Sequence, residues 1–137
     1  MNKTKAEQTQ GLFFNGQVFD AFVFVTGLIK RAESEIILID NYIDETVLTM
    51  LDNRAENVSA TIYTAQFSER LQLAVEKHNS QYPPIKICVF TKSHDRFLII
   101  DDEVYHIGAS LKDLGKRMFA FSKLNLPKEM ILSVITG

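Results

Sequence analysis

The chain has 137 residues, 46% of them hydrophobic and 23% charged, with a formal net charge of −2. That length and balance describe one folded domain with a core of its own, and exclude a disordered tail or a fibrous repeat. So small a charge creates no overall field drawing the chain onto nucleic acid or an anionic membrane.

Residues 1–11 read as a flexible lead-in, because Met1 to Gln10 is almost entirely polar, and 12–137 as the domain. Asn15-Gly16 marks a turn. From Val18 to about Arg31, Phe19, Phe22, Val23, Leu28 and Ile29 recur near helical spacing. Lys30 and Arg31 at the end of that run suit the helix dipole. The apolar part, Ala21 to Ile29, is far shorter than the roughly 20 residues a bilayer span needs. It also lies too deep in the chain for a signal peptide, so the expectation is a cytoplasmic protein with no membrane partner.

Glu35-Ile-Ile-Leu-Ile-Asp40 is a continuous apolar run of the kind found in strands covered on both faces. Asp44 suits the N-cap of a helix through Val47, Leu48 and Leu51, which Asn53 to Asn57 closes. Val58 to Tyr63 alternates as a second strand. Ser68-Glu69 opens another helix, with Leu71, Ala74, Val75 and His78 on one side, and Pro83-Pro84 stops it. Ile85 to Phe90 is a third strand. Its Cys88, the chain's one cysteine, has no partner for a disulfide and reads as a small buried hydrophobe in a reducing compartment. Phe97 to Asp101 and Val104 to Ile107 form a pair of strands around the acidic turn. A helical turn near Lys112 to Leu114 ends at Gly115, Phe119 to Ser122 forms a further strand, and Pro127 starts a final short helix. This order predicts an α/β domain with a mixed, mostly parallel sheet flanked by helices.

The chemistry concentrates between Ser93 and Ser110. His94 and Arg96 stand two apart, which on a strand puts both side chains on one face. Imidazole is a nucleophile or proton carrier near neutral pH, and guanidinium is a permanent cation shaped to grip phosphate. Beyond them Lys112, Lys116, Arg117, Lys123 and Lys128 face only Asp113 and Glu129, a basic segment able to draw in an anion or simply to solvate a helix face. His78 reads as a partly exposed helix-end residue, and His106 as a hydrogen-bonded sheet histidine. Phe13, Phe14, Phe19, Phe22 and Phe24 read as core and dimer surface.

The spacing His94-x-Arg96-x4-Asp101-x6-Gly108, with Ser110 just beyond, resembles the phospholipase D-like (HKD) superfamily, whose motif is His-x-Lys-x4-Asp followed six residues later by Gly. The resemblance covers about Leu12 to Leu124. It implies a phospholipase D-like fold and a metal-independent phosphodiesterase or nuclease-type hydrolase with no cofactor. His94 would be the nucleophile, Arg96 the phosphoryl clamp, Asp101 an orienting or balancing charge, and Ser110 and Gly108 part of the phosphate site. One motif supplies one histidine, and the leaving oxygen needs a second, so the resemblance also implies a homodimer. Three departures stand out: Arg96 replaces Lys, Leu111 takes a position where the family commonly has Asn, and the Glu that often orients the histidine is missing. Asp40 is a topological substitute for that Glu.

The wording from Ile37 to Tyr42, Ile-Leu-Ile-Asp-Asn-Tyr, and that from Ser93 to Gly115 are also similar to domains that follow phage-antirepressor-type DNA-binding modules. That implies a DNA-linked role within a longer chain. Three functions remain open at this point: a phosphodiesterase, with nucleic acid as substrate; a non-catalytic phosphate or nucleic-acid-binding dimerisation module; and a scaffold that only dimerises.

Overall fold

The computed structural model of the chain describes residues 9–136. Strands β1 (Gln10–Phe13), β2 (Glu35–Ile39), β3 (Ser59–Thr64), β4 (Lys86–Val89), β5 (Arg96–Ile100), β6 (Glu103–Ile107) and β7 (Phe119–Leu124) form one sheet in the order β1-β7-β6-β5-β2-β3-β4. Helices α1 (Val18–Arg31), α2 (Glu45–Leu51), α3 (Glu69–Gln81) and α4 (Glu129–Thr136) flank it.

The mixed α/β sheet is as expected, but the predominance of parallel pairing is not. Only β2–β3 and β3–β4 are parallel; β2–β5, β5–β6, β6–β7 and β7–β1 are antiparallel. Helical crossovers α2 and α3 make the first two pairs parallel, whereas the two-residue turn between β5 and β6 forces reversal there. The strand β1 begins at Gln10, inside the expected lead-in, and pairs Gln10 with Ser122. Residues 1–8 of that lead-in lie outside the described residues.

The two faces of the sheet are unequal. Ile36, Leu38, Ala60, Ile62, Leu98, Ile100, Tyr105 and Ile107 point toward α1, α2 and α3 and form the main core with Val25, Ile29, Leu48 and Leu51. The opposite face buries Ile37, Ile99 and Val104 beneath Ile131 and Leu132 of α4. Strand alternation assigns the faces: even-numbered positions of β2 and β5 face the large core, odd-numbered ones face α4.

Local chemistry sets the helix ends. Asp44 accepts from the Thr46 N–H and Ser68 from the Leu71 N–H, as N-caps should. Arg54, which its sequence context gives no reason to single out, is buried with its guanidinium on the carbonyls of Leu51, Val58, Pro83 and Pro84. It ties the end of α2 to the chain after α3. His78 is partly exposed, as expected of a helix-end residue, with its ring held between Asp52 and Asn79. Gly115 (φ +77°) lies so close to the start of α1 that a Cβ there would fall 2.6 Å from the Gln17 carbonyl oxygen. Among the described residues no helix is long and apolar enough to cross a membrane.

Candidate functional site

Because β5 runs antiparallel to β2, its first residue lies at the same end of the sheet as the last residues of β2 and β3. The register places Ile39 opposite Phe97, so Asp40 comes opposite Arg96 one step further on. In open α/β sheets this end, beyond the carboxyl ends of the parallel strands, is where ligands settle.

Asp40 is fully buried there. Its carboxylate accepts from the Leu111 N–H at 2.8 Å and the Tyr42 N–H at 3.1 Å, and both its oxygens lie 3.0 Å from Ser110 Oγ. Desolvation pushes the carboxyl above its ordinary 3.8, against the pull of the Leu111, Tyr42 and Ser110 donors and the charge of Arg96. Ser110 Oγ also lies 2.6 Å from the Tyr42 carbonyl oxygen. One hydroxyl hydrogen thus faces three oxygen acceptors, a deficit that a proton on Asp40 would relieve, in the direction burial already favours.

Arg96 Nε stands 3.9 Å from Asp40 Oδ1, too far for a hydrogen bond, and is buried without a partner. Among the described residues the other buried side-chain atoms without a partner are Asn41 Oδ1 and Thr64 Oγ1. Asn41 follows β2, Thr64 ends β3 and Arg96 opens β5, so all three gather at this end of the sheet. Native interiors pair nearly all such atoms, and a cluster of exceptions marks a place prepared for something else.

A cleft of about 560 Å³ opens beside Arg96, walled by Tyr42, Arg96, Gly108, Ser110, Lys112 and Arg117. Asp113 holds Lys112 at 2.8 Å and Lys116 at 3.1 Å, and the Lys112 contact foremost keeps the Asp113 carboxyl below 3.8. Arg117 is exposed and makes no ion pair with any described residue.

The expected site residues fare differently. Arg96 and Gly108 line the cleft. Gly108 has a packing reason to be glycine: a Cβ would fall 2.8 Å from the Ala120 carbonyl oxygen of β7. Ser110 also borders the cleft, but its hydroxyl is spent inside the protein on Asp40 and Tyr42, so it positions Asp40 rather than standing free for a phosphate. His94 does not share a strand face with Arg96, because β5 begins at Arg96 itself. It lies in the bend joining β4 to β5, exposed, off the cleft wall and without a hydrogen bond to any described residue. That bend crosses the sheet end above β3 and β2, tied down by the Asn41 side-chain amide, which donates to the Ser93 carbonyl at 2.9 Å.

Asp101 is absent from the site. Five steps along the strand, roughly 17 Å, separate it from Arg96, and it sits at the opposite end of β5 with φ +54°. Its carboxylate accepts from the backbone N–H groups of Glu33, Ser34 and Glu35, closing the α1–β2 connection. Desolvation raises its pKa, but those three donors together with Lys128 outweigh it and leave the group below 3.8. Replacing Asp101 with alanine should therefore destabilise the fold by about 3 kcal/mol, from lost charge-assisted hydrogen bonds and a left-handed backbone. Urea unfolding measures this. The wild-type advantage should be full above pH 3.8 and shrink as the pH falls through the lowered folded value.

His106 pairs with Phe97 and so faces α4, on the side of the sheet away from Arg96, 3.7 Å from Asp95. Of the phenylalanines, Phe13 and Phe24 pack with Phe119 and Phe121 at ring separations of 4.2–5.8 Å. Phe14, Phe19 and Phe22 stay exposed, Phe19 by 74%. Asp40 is the residue that sequence reasoning valued too little, as its only signal was its place at the end of an apolar strand.

By sequence, no family model and no curated protein matches the chain. By structure it is similar to NucT from Helicobacter pylori, with a TM-score of 0.62 at 13% identity over 93% of this chain and 91% of that one. It is also similar to phosphatidylserine synthase from Haemophilus influenzae Rd KW20, with a TM-score of 0.61 at 16% identity over 96% of this chain and 36% of that one. A third likeness is to TrmBL2, an archaeal chromatin protein reported to show a novel mode of DNA binding, with a TM-score of 0.53 at 14% identity. That match covers 98% of this chain and 52% of TrmBL2, so the chain spans about half of one of these proteins and about a third of another.

Proposed function

From the phospholipase D-like fold that this chain has in common with NucT and the synthase, we propose a homodimeric, nucleic-acid-directed phosphodiesterase whose phosphate anchor is Arg96 and whose nucleophile is His94. The observation that carries it is Arg96, its Nε without a hydrogen-bond partner, on the wall of a cleft rimmed by Lys112 and Arg117. A guanidinium held near Asp40 but not hydrogen-bonded to it, on a side chain 28% exposed at the cleft, is placed to meet a phosphoryl oxygen.

His94 of one protomer would attack phosphorus through a ring nitrogen. The P–N bond forms as the bond to the leaving oxygen breaks, and that oxygen takes a proton from the imidazolium of a second copy's His94. Water then attacks phosphorus, returning a proton to that imidazole, and the P–N bond breaks. Arg96 would stabilise charge on the non-bridging oxygens in both steps. The exposure of His94, on a bend and without a hydrogen bond to any described residue, suits a residue that meets its counterpart across a two-fold axis. Phe14, Val18, Phe19 and Phe22 offer the apolar surface for that second copy. The shallow groove at Val18 and Phe22 runs into the cleft through the shared Lys112 and Lys116.

Nucleic acid is favoured as substrate by the basic rim, by the likeness to a chromatin protein, and by the resemblance to domains that follow DNA-binding modules within longer chains. The second reading is a phosphodiester-binding module that does not turn over. It rests on one observation: His94 stands off the cleft wall, and no described residue orients it by a hydrogen bond. Hydrolysis of bis-nitrophenyl phosphate and of an oligonucleotide in EDTA separates them. Turnover by the wild type and its loss in His94→Ala supports the enzyme; binding without turnover in both leaves the module.

A further inference from the structure

Tyr42 is the aromatic residue on the cleft wall whose ring the fold leaves without a partner. It follows Asp40 and Asn41 at the end of β2, lines the cleft beside Arg96 and Gly108, and is 55% exposed. Its hydroxyl bonds to no described residue and its ring stacks on no described aromatic. Its backbone, in contrast, is fixed at both ends of the residue. The N–H donates to Asp40 Oδ1 at 3.1 Å, and the carbonyl oxygen lies 2.6 Å from Ser110 Oγ. The buried network that holds Asp40 opposite Arg96 therefore also holds Tyr42 in place. A tyrosine ring has only two side-chain torsions to immobilise, so a ring on an anchored backbone gives up little freedom when a flat ligand lands on it.

We infer that Tyr42 is a stacking platform for one unpaired nucleobase, which makes single-stranded nucleic acid the ligand class of the Arg96 cleft. Three features of the site meet the needs of such a ligand. Arg96 and Arg117, which pairs with no described carboxylate, take backbone phosphates, and Lys112 and Lys116 extend the positive rim. A base attached to the phosphate on Arg96 has the Tyr42 face within the same cleft. A base inside a duplex has both faces covered by its neighbours and cannot offer one to a fixed side-chain ring, whereas an unpaired base can. The cleft, at about 560 Å³, is also of a size that takes a single small-ligand-sized group, within the roughly 300–1,000 Å³ usual for such sites.

This inference rests on the reading of Arg96 as a phosphodiester anchor, and its test separates the two. Fluorescence anisotropy would compare a labelled single-stranded oligonucleotide with the same backbone carrying abasic positions, for wild type, Tyr42→Ala, Tyr42→Phe and Arg96→Ala, each checked for folding by circular dichroism. The wild type should prefer the base-bearing strand by about tenfold, as one stacked base does. Tyr42→Phe should keep that ratio and Tyr42→Ala should bring it close to one. Arg96→Ala should weaken binding to both strands. A ratio that survives in Tyr42→Ala, or that is absent from the wild type while Arg96-dependent binding remains, overturns the stacking role alone. Wild-type protein that binds neither strand, or binds both regardless of Arg96, overturns the anchor and the platform together. Phosphatidylglycerol vesicles provide the last arm: if they bind more tightly than the oligonucleotide and lose that binding in Tyr42→Ala, the ring serves a lipid surface and the inference is wrong.

Discussion

Replacing Arg96 with alanine should lower phosphodiester turnover by about 100- to 1,000-fold, the usual consequence of removing one donor aimed at developing charge. The expectation comes from where the guanidinium stands. Its Nε is buried and unpartnered, 3.9 Å from a fully buried carboxylate, and the side chain is 28% exposed toward the cleft. Asp40 steadies the cation without hydrogen-bonding it, so the part of the side chain exposed at the cleft stays available to a phosphoryl oxygen. Arg96→Lys should recover only part of the loss, because an ammonium is a point charge without the flat fork. Arg54 provides the contrast within the same molecule. Its guanidinium is buried too, but carbonyl oxygens of Leu51, Val58, Pro83 and Pro84 occupy it, so its loss should appear in unfolding and not in the chemistry of surviving folded protein. Steady-state turnover of bis-nitrophenyl phosphate, normalised to folded protein, measures both. If an active wild type loses less than threefold on Arg96→Ala, Arg96 does not touch the reacting phosphate.

Replacing Asp40 with alanine should destabilise the domain by about 3–5 kcal/mol and remove phosphate affinity with it. The change leaves the Leu111 and Tyr42 N–H groups without their acceptor and Arg96 without the countercharge beside it, at a position where the carboxylate itself is fully buried. Asp40→Asn separates shape from charge. Burial raises the folded-state carboxyl above 3.8, so keeping it protonated favours the fold. That contribution is fully present below 3.8 and is lost as the pH rises through the raised folded value. The difference in unfolding free energy, wild type minus Asp40→Asn, should therefore be largest in acid and fall toward neutral pH. Urea unfolding at several pH values gives the curve. A difference that grows with pH would mean that Asp40 is stabilised as a carboxylate, by Arg96 and its three donors, more than burial opposes it.

Much of the fold was legible from local signals. Asp44 and Ser68 announce their helices because a capping oxygen is a local need, and Ile36 to Ile39 announces a strand covered on both faces because nothing polar interrupts it. Strand direction was not legible in the same way. Whether β5 runs with or against β2 depends on a partner more than fifty residues away, and the helix–strand alternation up to β4 suggested parallel pairing for the rest. β1 is four residues long, half-exposed, and recognisable only through its pairing with β7.

The candidate site was legible as a region and misassigned in part. The motif's Arg96 and Gly108 lie at the cleft, but a strand of five residues carries Asp101 to the far end of the sheet, where it ties down the start of β2. The carboxylate beside Arg96 is instead Asp40, fifty-six positions earlier in sequence and opposite it across the β2–β5 pairing. Spacing along one strand cannot reveal a neighbour on another. Ser110, expected to donate to a phosphate, borders the cleft with its hydroxyl turned inward to Asp40 and Tyr42. The buried arginine at Arg54 had no sequence signal, because its partners are main-chain carbonyls, which every residue carries.

The most direct test of the phosphate anchor is a heteronuclear NMR titration with inorganic phosphate, following the arginine Nε–Hε cross-peaks. The account predicts a saturable shift of the Arg96 cross-peak, with the Arg54 cross-peak unmoved because its Nε–H is already bonded to the Val58 carbonyl. An Arg96 cross-peak that stays still while resonances elsewhere on the surface respond would contradict it.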